Sequence, residues 1–357
     1  MSHRLRVLVA GMVAGEPHQG GAVWAVLQYV LGIRRLGHEV HLVEPVDKPS
    51  PETIAYFDAV MKQFALDGEL LTEVRHLRNF DVVLNISGML SVDSIASIPR
   101  RVYLDLDPAF NQLWHEAGID RGLDGHTHFV TLGQAIGRAE CTVPTHGRPW
   151  IPTLPPVVLE DWPRADGIVT AALTTVGNFR GYGSIDRGGV HYGQKVHSLR
   201  KLIGLPQRTR ERFVLAMAVH PDEQRDLAAL AENGWELVDP VVAAGTPEAY
   251  QAFVRGSRGE IGIAKSGYVV SRCGWFSDRS ACYLASGRPV VAQDTGFSSF
   301  LPVGEGLLAF DDEDGAVAAI DEIGRDYPRH ARAARELAKE YFDSDLVLAT
   351  LLERLAS

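Results

Sequence analysis

Two successive series of apolar segments, each alternating with amphipathic segments, constrain the fold of this chain more than any other feature. In the first series, RVLVAGM from Arg6 to Met12 is a continuous apolar run, which is typical of a buried parallel strand. The segment from Gly20 to His38 follows, with apolar residues at helical spacing and a glycine near its end. Strand and helix in alternation predict a parallel sheet with helices on both faces.

The alternation breaks between Cys141 and Pro163, where the chain is rich in proline and lacks helical periodicity. It resumes with the strand-like segments IVTAALTTVGNF, FVLAMAV and GEIGIAK. The chain has 357 residues, which is too many for one ordinary core. We therefore predict an α/β fold of two doubly wound, Rossmann-like domains that face each other across a cleft. The predicted parts are a domain at 1–150, a linker at 151–163, a domain at 164–330 and C-terminal helices at 331–357, whose return to the first domain is left open.

The charge balance argues against strongly anionic partners. Lys and Arg total 35 against 45 for Asp and Glu, which gives a formal net charge of -10. Nucleic acids and anionic membranes require a concentrated basic surface, so we predict no nucleic-acid partner. No segment approaches the roughly 20 apolar residues of a membrane span, so we also predict no membrane insertion. No feature of the sequence defines an oligomeric state.

The cysteines and the N-terminus indicate the compartment. Cys141, Cys273 and Cys282 are scattered without paired spacing, which favours a reducing environment and no disulfide framework. The first apolar run is only as long as a strand and lacks a small-residue cleavage site. We therefore predict a cytoplasmic protein.

The stretch CGWFSDRSACYLASGRPVVAQDTGF, from Cys273 to Phe297, predicts an anion-binding site. A helix-like segment in it begins with Ser277, Asp278, Arg279 and Ser280. Helix N-termini carry free amide donors and the positive end of the helix dipole, which favour phosphate or carboxylate. The first two of these residues are explained equally well as ordinary capping residues. The arginine opposes the dipole unless an anion lies nearby.

A turn after the following strand is a second candidate contact with the same ligand. It consists of Thr295, Gly296 and Phe297, and its glycine allows the backbone to approach a ligand closely. A plain turn is the alternative. Doubly wound domains bind ligands beyond the carboxyl ends of their strands, so we expect the site in the cleft between the two domains.

This C-terminal stretch resembles the donor-binding half of GT-B glycosyltransferases. The matching elements are Ala285-Ser286-Gly287-Arg288-Pro289-Val290 at a helix-to-strand junction, Thr295-Gly296-Phe297 at the donor turn, and Gly304-Glu305-Gly306-Leu307-Leu308 in a closing segment. The N-terminal AGMVAGEPHQGGAVWAVLQYVLGIRRLGHEVHLVEP resembles the first strand, loop, helix and strand of that fold. The resemblance implies that Gly20 and Gly21 face a nucleotide-sugar donor held by the second domain.

The chain departs from this family at one place. Many retaining GT-B enzymes carry two glutamates in the donor segment, and the corresponding positions here hold Gly274 and Cys282. The resemblance therefore implies that Ser277, Asp278, Arg279 and Ser280 replace the usual carboxylate contacts with the donor.

Two residues are candidates for the catalytic base that removes the proton of an acceptor hydroxyl. His18 lies in the loop after the first strand, although a solvent-exposed loop histidine is the alternative. Asp107 follows the strand-like YLDLD, where it is also explained as a helix cap.

Further candidates for donor binding follow other strands of the second half. The glycine-rich loop from Gly177 to Lys195 has the composition of a functional loop, with a solvated hairpin as the alternative. The additional donor-binding candidates are Tyr192, Lys195, His220, Lys265 and Arg272. His126 and His128 share a strand face but have no further ligand nearby, so we predict no metal site.

Together these features predict a metal-independent glycosyltransferase with a nucleotide diphosphate sugar as co-substrate and no other cofactor. The acceptor is expected to be a small molecule or another hydroxyl-bearing molecule. A nucleotide-sugar epimerase and a non-catalytic nucleotide-sugar-binding protein are the alternatives.

Overall fold

Two fully parallel sheets organise the computed structural model, which describes residues 4–356. The first sheet has the spatial order β3-β2-β1-β4-β5-β6-β7. Its strands are β1 Arg6–Ala10, β2 Glu39–Pro45, β3 Gly68–Leu71, β4 Val82–Ile86, β5 Arg100–Asp105, β6 His128–Thr131 and β7 Trp150–Pro152. The helices between them are α1 Gly20–Arg35, α2 Pro51–Gln63, α3 Val92–Ile95 and α4 Phe110–Glu116. The strand β1 is buried because β2 and β4 pair with its two edges and helices cover its faces.

The second sheet has the spatial order β12-β11-β8-β13-β14-β15. Its strands are β8 Thr170–Asn178, β11 Phe213–Ala218, β12 Trp235–Val238, β13 Ser257–Gly262, β14 Val290–Gln293 and β15 Leu307–Phe310, and a separate antiparallel hairpin is formed by β9 Ile185–Arg187 and β10 Val190–Tyr192. The helices of this half are α5 Lys195–Leu199, α6 Leu205–Arg208, α7 Gln224–Glu232, α8 Pro240–Ala244, α9 Pro247–Gly256, α10 Ser266–Ser271, α11 Asp278–Ala285 and α12 Glu313–Arg325. Short 3-10 turns cover Arg200–Leu202 and Phe297–Ser299.

Two helices and a π-turn complete the described chain: α13 Tyr327–Leu337, the turn Ala338–Phe342 and α14 Ser344–Ala356. The helix α14 packs against α1 of the first domain. A β-carbon on Gly32 would overlap the Leu348 side chain, so the glycine allows the two helices to approach closely. The backbone of Val157 also exchanges hydrogen bonds with Phe342 and Ser344, at 2.7 and 2.9 Å. The last part of the chain therefore returns to the first half.

The segment that the sequence assigns to the linker, 151–163, begins inside β7. Its buried Trp162 packs edge-on against Trp24 of α1 at 5.0 Å and against Tyr250 of α9 at 6.0 Å. One apolar cluster consequently runs from the first sheet through α1 to α9, α11 and the C-terminal helices. The predicted α/β fold with two doubly wound sheets is confirmed. Each helix within residues 4–356 is too short or too polar to cross a membrane.

Candidate active site

A cavity of about 210 Å³ lies between the two halves of the chain, beside the carboxyl ends of β1 and β8. The first half contributes His18, Gln19, Gly20, Gly21 and Ala22 to its wall. The second half contributes Val176, Gly177, Asn178, Pro240, Ala244, Tyr250, Asp278 and Arg279. The cavity therefore lies in the cleft that the sequence predicts.

The glycine pair at the start of α1 sets how closely the two halves approach. A β-carbon on Gly20 would lie 2.7 Å from the carbonyl oxygen of Ala244, and one on Gly21 would lie 2.9 Å from the ring of Tyr250. A β-carbon at either position would clash, so a residue larger than glycine there would force the two halves of the chain apart. One turn further along α1, the indole of Trp24 donates a hydrogen bond of 2.8 Å to the carbonyl of Pro247.

His18 lies at the edge of the cavity in a left-handed backbone conformation with φ of +63°. Its Nε2 atom lies 2.9 Å from a carboxylate oxygen of Glu52, the second residue of α2. The ring also packs edge-on against Tyr56, whose hydroxyl donates a 2.8 Å hydrogen bond to the carbonyl of Gly245. A histidine beside a carboxylate can accept a proton, because the carboxylate stabilises the resulting imidazolium.

The start of α11 forms the opposite wall of the cavity. Ser277 stands at the N-cap position, but its side chain makes no capping hydrogen bond. Burial raises the pKa of Asp278 above its ordinary value, although the adjacent Arg279 lowers it. Arg279 donates from Nε to a carboxylate oxygen of Glu260 at 2.5 Å, and from Nη1 to the carbonyl of Val176 at 3.0 Å.

Lys195 places a buried cation beside the same cavity. It is the first residue of α5 and is only 8% exposed. Its Nζ lies 3.0 Å from the point where a β-carbon on Gly177 would stand. Among residues 4–356 this ammonium makes no hydrogen bond or short ion pair, although the charges of Glu260 and Asp278 act on it. Burial lowers the pKa of Lys195 well below its ordinary value, and the positive charge of Arg279 lowers it further.

Asp107 and Lys265, which the sequence assigns to base and donor binding, are bound to each other across the cleft. The Lys265 ammonium lies 3.0 Å from Oδ2 of Asp107. The hydroxyls of Tyr182 and Tyr268 each donate a short hydrogen bond to the same carboxylate. Burial and the nearby Asp107 raise the pKa of both tyrosines. In this arrangement each charged group is already paired within the protein, although each side chain stays 22% exposed.

The predicted donor turn does not open onto the cavity. The Thr295 hydroxyl donates to the carbonyl of Trp275, and Phe297 is buried against Phe276 at 5.2 Å. The turn is closed by Asp294, which accepts from the backbone of Gly296 at 2.9 Å and from Ser298. The Asp294 carboxylate therefore already binds the backbone amide of the glycine at which a close approach to a ligand was predicted.

Four further residues predicted to bind the donor do not line the cavity. Ser280 is buried inside α11, and Tyr192 packs in an apolar cluster with residues of the first half. His220 stays exposed beside Asp222. Arg272 lies 3.5 Å from the Asp294 carboxylate. None of these four contributes to the wall of the 210 Å³ cavity.

Several residues of the site escape the sequence analysis. Glu260 could be noticed in the sequence, because a carboxylate is unusual within an apolar strand segment such as GEIGIAK. Glu52 and Tyr182 carry no comparable signal, because their partners lie 34 and 75 residues away along the chain.

Solved structures with a similar fold include glycosyltransferases. An α-glucosyltransferase in complex with UDP-glucose and DNA containing an abasic site superposes with a TM-score of 0.66 at 12% identity, over 99% of this chain and 100% of that one. HepE from Anabaena in complex with UDP and glucose superposes with a TM-score of 0.63 at 12% identity, over 99% and 100%. No protein-family model matches the chain, and no curated protein matches it.

These neighbours correct one prediction. Four of the similar α-glucosyltransferase structures are complexes with DNA, so the exclusion of a nucleic-acid partner is wrong. The physical reason is that net charge describes a whole chain, whereas a nucleic acid contacts one local surface. An acidic chain can still carry such a surface.

The likeness extends over nearly the full length of both chains and includes both parallel sheets and the cleft between them. The expected resemblance is therefore confirmed at the level of architecture: this chain has the GT-B fold of the nucleotide-sugar-dependent glycosyltransferases.

Proposed function

We propose that this protein transfers a sugar from a nucleotide diphosphate donor to an acceptor hydroxyl. The observation that carries the proposal is Lys195, whose side chain is only 8% exposed, makes no hydrogen bond or short ion pair among residues 4–356, and lies in the cleft near Arg279. Burying a cation without a partner is costly, and a bound diphosphate would remove that cost. The UDP and UDP-glucose held by proteins of the same fold support this reading.

Protein groups would offset the charge of the diphosphate. Lys195 and Arg279 supply positive charge, and the positive end of the α11 dipole lies at the cavity wall. In the reaction, the acceptor oxygen bonds to the anomeric carbon while the bond from that carbon to the diphosphate oxygen breaks. The nucleoside diphosphate leaves with the bonding electrons, and the fixed cations stabilise the charge that develops on it.

His18 is the proposed base on the first-domain side of the cavity. It would take the proton of the acceptor hydroxyl as that oxygen attacks, and Glu52 would stabilise the imidazolium. Asp107, the other candidate base, is engaged with Lys265 and two tyrosines. The geometry therefore favours His18.

Titration calorimetry with UDP, GDP, ADP and dTDP tests donor binding. The wild-type protein is expected to bind at least one of these nucleotides, and Lys195→Ala should weaken that binding about tenfold or more. Lys201→Ala is the matched control, because Lys201 is an exposed lysine of the same segment. Failure of the wild-type protein to bind any of the four would overturn the proposal.

A product assay separates transfer from the two alternatives. The preferred nucleotide sugar is incubated alone, with small alcohols and sugars, and with a DNA oligonucleotide. Glycosylated acceptor supports the proposal. Isomerised donor in the absence of acceptor indicates an epimerase, and tight binding without turnover indicates a binding protein; either result contradicts glycosyl transfer.

A further inference from the structure

We propose that Glu260 is a positioning residue that orients Arg279 toward the bound nucleotide diphosphate. This inference rests on the proposed function, because it assigns a role within the same donor site. Glu260 lies in β13 behind the cavity wall and does not itself line the cavity. It would therefore influence a ligand through the arginine and not by direct contact.

Two of the three guanidinium nitrogens of Arg279 make hydrogen bonds within the protein, and the third does not. Nε is bound to Glu260 at 2.5 Å, and Nη1 is bound to the carbonyl of Val176 at 3.0 Å. Nη2 has no hydrogen-bond acceptor among residues 4–356. Since Arg279 belongs to the cavity wall, Nη2 is the atom left to bind a ligand. A planar guanidinium held at two nitrogens has one orientation, which is the preorganisation that a phosphate site requires.

An ordinary structural ion pair is the competing explanation, and the surroundings of α11 argue against it. The helix is already attached to the sheet one turn further on, where the Tyr283 hydroxyl lies 2.5 Å from that of Thr174. The Thr174 hydroxyl in turn lies 2.7 Å from that of Ser257. Because this network joins α11 to β8 and β13 without Glu260, the carboxylate is not required to place the helix.

The burial of Glu260 also requires an explanation. Its side chain is fully buried, and its Oε2 atom has no hydrogen-bond partner. A buried carboxylate is expensive, and replacing such an ion pair by apolar residues often preserves stability. A role in orienting Arg279, which lines the cavity, accounts for a charge buried at this cost.

A double-mutant cycle tests the inference by calorimetry with the nucleotide that the wild-type protein binds best among UDP, GDP, ADP and dTDP. The variants are Glu260→Gln, Arg279→Gln and the two together, since each glutamine keeps a hydrogen-bonding group at the buried position. Glu260→Gln is expected to weaken nucleotide binding about tenfold, and Arg279→Gln at least as much. The comparison is made at a pH low enough that wild-type affinity no longer increases on acidification, because Glu260 also raises the pKa of Lys195. There the double variant should bind within about threefold of Arg279→Gln, because Glu260 contacts the site only through that arginine.

Asp226→Asn is the matched control, because it also removes a carboxylate that accepts hydrogen bonds from an arginine. Asp226 accepts two hydrogen bonds of 2.7 Å from Arg200 in the same half of the chain, but neither residue lines the cavity. This control should lower the melting temperature without changing nucleotide affinity. Melting temperatures of all variants are recorded beside the binding constants, so that loss of folded protein is not mistaken for loss of affinity.

The outcomes separate this inference from the proposed function. If the wild-type protein binds no nucleotide, the proposed function fails and the role of Glu260 fails with it. If the wild-type protein binds but folded Glu260→Gln binds equally well, only the inference is overturned. Effects of the two substitutions that multiply in the double variant would also overturn it, because they would show that Glu260 acts independently of Arg279. Should Glu260→Gln fail to fold, Glu260→Asp takes its place in the cycle.

Discussion

Lys265 of the second domain holds its ammonium 3.0 Å from the carboxylate of Asp107 in the first domain. The hydroxyls of Tyr182 and Tyr268 bind the same carboxylate, and the ammonium also lies 4.1 Å from the centre of the Tyr182 ring. The three residues that bind Asp107 all belong to the second half of the chain. This group of four residues therefore joins the two sides of the cleft.

Asp107→Asn should weaken this junction. The substitution removes the charge that Lys265 and the tyrosines bind, and each side chain of the ion pair is 22% exposed, so solvent screens part of the loss. We expect the free energy of unfolding to fall by about 1–3 kcal/mol in urea denaturation. Asp222→Asn, in an ion pair whose carboxylate is 91% exposed, should change it by less than about 0.5 kcal/mol. Equal effects of the two substitutions would contradict the assignment.

His18→Ala should abolish most of the proposed transfer while leaving the donor site intact. Loss of a general base lowers turnover by about a hundredfold or more. Nucleotide affinity should stay within about threefold of wild type, since His18 is proposed to act on the acceptor. Initial rates and calorimetry measure the two effects separately. His76→Ala, at an exposed histidine of the same half, is the control, and unchanged turnover in His18→Ala would exclude it as the base.

Nucleotide binding should depend on the protonation of Lys195. Burial and the charge of Arg279 lower the pKa of the free lysine, and Lys265 adds to this effect while Glu260 and Asp278 oppose it. A diphosphate favours the ammonium form, so binding draws a proton from the buffer once the pH exceeds the lowered pKa. We therefore expect affinity to decrease as the pH rises through that value, well below the ordinary pKa of lysine.

Calorimetry in buffers of different ionisation enthalpy measures this proton uptake directly. Lys195→Met should bind more weakly, and its proton uptake should disappear. Lys201→Ala should keep the wild-type uptake. A wild-type affinity that does not change with pH, together with no proton uptake, would place the diphosphate away from Lys195.

Asp105 should make stability depend on pH in the acidic range. Burial raises the pKa of its carboxyl to about 6, although Gln112, Asn111 and Thr131 donate hydrogen bonds that lower it. Between about pH 4 and pH 6 the folded protein then binds a proton that the unfolded chain has released. Stability therefore falls as the pH rises through this window, by about 3 kcal/mol for this group. Asp105→Asn should remove that slope when unfolding is compared with wild type at pH 4 to 7.

Gly20→Ala should disturb the approach of the two domains. Its β-carbon would lie closer than 3 Å to the carbonyl oxygens of Ala244 and Thr246, which are backbone atoms without room to move. We expect a loss of about 1–3 kcal/mol in stability and a larger radius of gyration by X-ray scattering. Gly324→Ala in α12 meets no atom within 4 Å and should be neutral or slightly stabilising. A Gly20→Ala protein with wild-type stability and radius would contradict the close packing.

Local patterns predicted the main strands and helices, although not the short strand β7 inside the proline-rich stretch. The apolar run at Arg6 forms β1, the periodic segment at Gly20 forms α1, and the polar cluster at Ser277 precedes α11. Each pattern reports whether a segment is buried on one face or on both, and that property depends on neighbouring residues alone. The alternation of these elements also indicated the two parallel sheets, because parallel strands require helical connections.

The site was decided by contacts between residues far apart in the chain. Sequence brought His18, Lys195 and Arg279 into consideration, but it could not show that Glu52 lies beside His18 or that Glu260 holds the arginine. It also could not show that Asp107 and Lys265 bind each other over 158 residues. Thr295 and Phe297 turned inward because Asp294 closes their turn. The sequence by itself thus determined the main strands and helices through local burial, and their alternation indicated the cleft. Only tertiary packing decided which charges are already paired and which remain available to a ligand.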